Sequence, residues 1–149
     1  MKLVCIVLPF ILLIAACANH KKNVTTSDVE KHYEAYPPAV IGKFQKINAP
    51  CQIKELTLKR NLLEIDVTYG GGCAEHQFEL IGSEKLEEGS PKVRKVQLVH
   101  KNGGDQCKAL KREKLTFSIS QLAEHLEPGN EVLLDFVGHD KKIRFSYQN

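Results

Sequence analysis

The chain has 149 residues, 42% hydrophobic and 26% charged, and 21 basic against 18 acidic side chains leave a net charge of +3. That length carries one core rather than two, and the composition excludes a disordered or fibrous chain. The near balance of charge gives no electrostatic case for nucleic acid as a partner.

Behind Lys2, residues 3–16 run for fourteen positions without a charge. A membrane-spanning helix needs about 20 apolar residues, so the run fits the hydrophobic region of a secretory signal instead. It ends in Ile14-Ala15-Ala16-Cys17, which resembles the lipobox of bacterial lipoprotein signal peptides. The resemblance implies that residues 1–16 are removed and that Cys17 becomes the first residue, carrying a diacylglyceryl group on sulfur and an acyl chain such as palmitate on nitrogen. Only a thiolate is nucleophilic enough to take the lipid, and several chains hold a protein on a bilayer where one is marginal. Ala18, where an Asp would mark another address, resembles the outer-membrane sorting pattern of Gram-negative bacteria. The alternative is an ordinary secretory signal with a chance cysteine. Residues 17–32 then read as a lipidated N-terminus and flexible tether, and 33–149 as a single β domain with its core in 51–149.

Pro37-Pro38 marks extended chain, and residues 40–47 read as a first edge strand. Residues 53–58 and 62–69 form a hairpin through Lys59-Arg60-Asn61, with Leu63, Ile65, Val67 and Tyr69 alternating on one face. Glu64 and Asp66 fall on the other face and read as solvated. Strands are expected at 76–81 and 93–100, and Leu115, Phe117 and Ile119 alternate again. Ser120 is placed to cap a short helix over 121–126, stopped by Pro128-Gly129. Residues 132–137 and 142–147 close a terminal hairpin around Gly138-His139-Asp140. His125 and His139 read as exposed. Seven strands at this spacing predict an all-β, antiparallel two-layer sandwich, immunoglobulin-like, with a small β-barrel as the alternative.

Two Gly-rich stretches carry the chemistry. Gly70-Gly71-Gly72-Cys73-Ala74-Glu75-His76 is answered by His100-Lys101-Asn102-Gly103-Gly104-Asp105-Gln106-Cys107. Pairing Phe78 with Leu98 and Leu80 with Val96 places His76 opposite His100, with Cys73 and Cys107 just beyond. The long segment 82–92 leaves that register free to slip by two. Three readings are open. The first is structural: Cys73 and Cys107 form a disulfide in an oxidising compartment, and the histidines donate hydrogen bonds to turn carbonyls or to Asp105. The second is a zinc or copper(I) site of Cys73, His76, His100 and Cys107, although His-x6-Cys is not a standard finger spacing. The third is a cysteine nucleophile beside a histidine, with no supporting motif. Once Cys5 leaves with the signal and Cys17 takes lipid, Cys51 is the odd thiol, read as a small buried hydrophobe or as a substitute partner in the bridge. Lys108, Lys111, Arg112 and Lys114 read as a solvated loop or a lysine-protected edge strand, or as contacts for anionic lipid or glycan.

Tyr69, Gly71, Gly72, Cys73 and His76, then His100, Asp105 and Cys107, then Leu115, Phe117, Ile119 and Ser120 resemble a group of bacterial lipoproteins with small β domains. That resemblance implies export and a β fold and carries no activity. The expectation is a monomeric binding or structural module, without cofactor, contacting the membrane through its lipid and another envelope protein or glycan through its domain. Metal handling through the Cys/His end is the first alternative and a lysozyme-inhibitor-type module the second; an enzyme comes last.

Overall fold

Period-two alternation builds the molecule. The computed structural model describes residues 35–47, 49–124, 126–127 and 129–146, so the segments expected as signal and tether, with Cys17, lie outside the described residues. The described strands are β1 (Val40–Gly42), β2 (Cys51–Lys59), β3 (Leu62–Gly71), β4 (Gln77–Ser83), β5 (Lys92–Lys101), β6 (Ala109–Ser118), β7 (Glu131–Phe136) and β8 (Lys142–Ser146). They form two sheets, ordered β1-β4-β5-β7-β8 and β2-β3-β6. The inward rows, including Leu63, Ile65 and Val67 on β3, Leu80 on β4, Val96 on β5 and Phe117 on β6, make one buried cluster between the sheets. The expected all-β, two-sheet architecture is the one formed, and the sheets do not close into a barrel.

The expectation of antiparallel pairing throughout is corrected within it: β1–β4 and β5–β7 pair in parallel. Parallel neighbours need a crossover, and here the chain makes it by visiting the other sheet between the two strands. The β2–β3 hairpin turns through Arg60-Asn61, because Lys59 pairs with Leu62. Arg60 takes the left-handed conformation, with φ 55, that such a tight turn asks of its first residue.

Three local expectations are corrected. The first edge strand stops at Gly42, not at residue 47. Beyond it the chain becomes a strap, which crosses the outer face of the five-stranded sheet. The backbone of Gln45 there bonds a side chain instead of a strand: Gln97 Oε1 accepts from Gln45 N at 2.8 Å, and Gln97 Nε2 donates to Gln45 O at 2.8 Å. Gln45 Nε2 also donates to Glu79 at 3.2 Å, so the strap lies over the paired outward residues of β4 and β5. The helix at 121–126 is only a 3-10 turn over Ser120–Ala123, and Ser120 is its first residue, not its cap. A buried arginine holds this turn against the end of β4: Arg94, fully buried, donates to the carbonyls of Leu122 (2.7 Å), Glu124 (2.8 Å) and Ser83. His139 is half-buried rather than exposed, and its Nδ1 accepts from Lys141 N at 3.0 Å, which steadies the last hairpin turn. His125 lies outside the described residues.

Glu64 and Asp66 sit outward and only partly exposed, shielded by Lys59 and Lys114. Lys111, Arg112 and Lys114 of the basic run lie on β6, a margin of the three-stranded sheet, as the edge-strand reading expected, and Lys108 just precedes it.

Candidate functional site

Cys73 and Cys107 are joined by a disulfide across a sequence separation of 34. It ties the turn after β3 to the turn before β6, at the end of the sandwich where Gly71 pairs with Ala109. Between the two cysteines sits Asp105, whose side chain is 1% exposed. Its Oδ2 accepts the backbone N–H groups of Gly72 (2.8 Å), Cys73 (2.9 Å) and Ala74 (3.1 Å), and Oδ1 accepts Cys107 N–H at 2.8 Å. One carboxylate therefore satisfies the N–H groups of a loop that has no strand to bond, and it holds both halves of the clamp. Glycine is required at Gly71, where φ is 155 and a Cβ would collide with the His76 ring.

The histidines complete the cluster by a different route from the one the sequence predicted. Phe78 pairs with His100 and Leu80 with Leu98, two residues away from the expected register. The segment between β4 and β5 does not fix the register, and this pairing matches the apolar rows equally well. His76 falls just before β4 and reaches back diagonally: its Nδ1 lies 2.7 Å from His100 Nε2 and its Nε2 lies 3.1 Å from Asp105 Oδ2. Tyr69 packs against both imidazoles at 4.7 and 4.9 Å between ring centres, and Phe78 stacks on His100 at 4.7 Å. The Tyr69 hydroxyl donates to Glu113 at 2.6 Å; burial first, and then this bond and the Glu113 charge, push its pKa up to about 12.

Proton counting orders this chain. With Asp105 ionised, His76 carries its proton on Nε2 and donates to Asp105, so its Nδ1 accepts from His100 Nε2–H. His100 Nδ1 is buried and has no hydrogen-bond partner among the described residues. The His76 hydrogen bond, followed by the N–H groups of Cys107 and Cys73, holds Asp105 far below the usual carboxylate range against the opposing effect of burial. Burial first, and the neighbouring His76 second, hold His100 below the ordinary histidine value, against the backbone of Pro50 and Ala49 and the charge of Glu113.

Both shifts act in the same direction. Each folded-state pKa lies below its unfolded value, so the stabilisation is complete above the unfolded pKa and is lost as pH falls toward the folded one. The thermal midpoint is expected to drop first below about pH 6.5 through His100, and again below about pH 4 through Asp105. Replacing His100→Gln should flatten the first limb and leave the second. Thermal unfolding across pH 3–8 checks this, and an unchanged slope between about pH 5 and 6.5 would remove His100 as its cause.

The disulfide reading thus holds, as does the histidine-to-Asp105 bond; no glycine-turn carbonyl takes part. The metal set Cys73, His76, His100 and Cys107 is not assembled. Its sulfurs are bonded to one another, and its histidines bond each other and Asp105. The group gathered with both sulfurs within 4.8 Å is Asp105. Neither sulfur is a free nucleophile. Cys51 is the free thiol among the described residues, half-buried against the core, where burial raises its pKa. Arg94 and Gln97 were not anticipated as organising residues. The available signal was an arginine and a glutamine set among the valines and leucine of β5.

The fold and the site define a small two-sheet β domain with disulfide-clamped Gly-rich loops. No family model and no curated protein matches the chain. Among solved structures it is similar to a NigD-like immunity protein from Bacteroides caccae, at 16% identity and a TM-score of 0.55, over 73% of this chain and 58% of that one. It is also similar to a protein from Parabacteroides distasonis described as toxin-related, at 14% identity and a TM-score of 0.48, over 74% of this chain and 62% of that one. The chain spans less than two thirds of either structure, and the first likeness shows a shared fold.

Proposed function

We propose that the chain is a lipid-anchored protein of the bacterial cell envelope, in the outer membrane of a Gram-negative cell, whose β domain works by binding another protein. The observation that carries this reading is a polarity. The described chain enters beside Ser118, where Ala39 N donates to Ser118 O at 2.7 Å, and the Cys73–Cys107 clamp lies at the other end of the same β3–β6 pair. Nine residue steps along a strand separate the two ends by about 30 Å. A lipid on Cys17 would attach the domain through its entry end, the end away from the clamped loops, and leave those loops free for a partner. The lipobox supports the anchor, and a disulfide suits an oxidising envelope compartment. The Bacteroides caccae neighbour is described as an immunity protein. An immunity-type role is the specific form of binding that this likeness supports, by analogy of fold alone.

The intact mass of the exported protein, with and without alkylation, tests the anchor. The expected result is loss of residues 1–16, an added diacylglyceryl group and acyl chain, and one alkylated thiol in the denatured, unreduced protein. Retention of residues 1–16, or an alkylatable Cys17, would overturn it.

A further inference from the structure

We propose that the free edge of β6 at the clamped end docks an acidic, extended segment of a partner protein. This deepens the binding role proposed above and rests on it. Along residues 109–114, β6 is bonded among the described residues only to β3, so this stretch presents on its other side backbone N–H and C=O groups with no described partner; farther along, Ser118 is bonded to Pro37 and Ala39. Residues 109–114 are exposed on both faces of the strand, and the buried alternation begins only at Leu115. Leu110, at 80% exposure, is the most open of the exposed large hydrophobic residues among those described. Lys108, Lys111 and Arg112 surround it, exposed, and none is in an ion pair with a described residue. The acids in reach are already engaged: Glu113 accepts Tyr69, and Glu64 and Asp66 face Lys114 at 3.9 Å.

An open edge bonds any added strand through its backbone, so side chains must choose the occupant. A second copy of this chain would bring the same three cations against themselves, and like charges facing across a strand pair destabilise it. A strand carrying Glu or Asp reverses that sign, and its apolar residues can cover Leu110. The edge also starts two residues after Cys107, so the disulfide and Asp105 hold its beginning in place before any partner arrives.

The test uses the full chain in detergent and a fluorescein-labelled peptide of six Glu-Val repeats, read by anisotropy. Saturable binding is expected, weakened at least tenfold by Lys111→Glu with Arg112→Glu, weakened also by Leu110→Asp, and absent for the matching Lys-Val peptide. All these residues are exposed, so thermal midpoints should stay unchanged and report that the variants fold. No saturable binding, equal binding of the Lys-Val peptide, or indifference to charge reversal would overturn the proposal. So would charge-dependent binding seen only with phosphatidylglycerol mixed micelles, which would assign the edge to lipid. Self-association abolished by the same reversal would assign it to a second copy. Peptide binding does not require lipid on Cys17, so this outcome is independent of the mass measurement that tests the anchor.

Discussion

Reducing the Cys73–Cys107 bond is expected to destabilise the domain by about 3–4 kcal/mol, the chain entropy released when a loop of this length opens. In urea that is a midpoint lower by about 2 M, for a slope near that of a domain this size. The bond also aligns the donors that Asp105 accepts, so reduction should loosen residues 72–74 and raise amide exchange there before it affects β7 and β8. A Cys73→Ala, Cys107→Ala double variant should match the reduced protein. A loss below about 1 kcal/mol would mean that Asp105 alone holds the two turns together.

The second large effect is expected at Arg94. Arg94→Met should cost about 3–5 kcal/mol, because three buried or partly buried carbonyls lose a charged donor together. Arg94→Lys should recover only part of this. One ammonium cannot span Ser83, Leu122 and Glu124 as a planar fork does. Equilibrium unfolding in urea measures both variants, and a cost for Arg94→Met near that of an exposed substitution would show that water satisfies those carbonyls in its absence.

Particular residues show why some of this is legible in the sequence. The alternation of Leu63, Ile65, Val67 and Tyr69 fixes β3, since an error of one would turn every apolar side chain outward. Cys73 and Cys107 can be paired because each ends a Gly-rich turn beside a strand with the same pattern. The register of β4 against β5 is not legible. Two pairings bury the same apolar rows, and the contact that distinguishes them, His76 reaching diagonally to His100, depends on side-chain direction beyond the strand's end. Asp105 looks like one acid in a polar loop, since its role depends on four backbone N–H groups that sequence does not display. Arg94 and Gln97 escape notice for a related reason: each bonds backbone carbonyls or amides, which leave no trace in residue identity. The strap of residues 43–47 reads as a strand because strand and strap are both extended chain. Only the partner, a glutamine side chain instead of a neighbouring strand, separates them.

The strap also changes what counts as the smallest unit that can be cut out and still fold. Periodic strands begin at Cys51, which invites a trimmed version starting there. Yet Ala39 lies fully buried in the core, and Gln45 is bonded to two residues on the outer face of the five-stranded sheet. A fragment beginning at Cys51 would lose the margin strand β1 and bare Ile81 and Val99, which pair with Gln97 and Glu79 beneath the strap. The practical boundary for any recombinant domain is therefore ahead of Pro37, more than a dozen residues upstream of the first long strand.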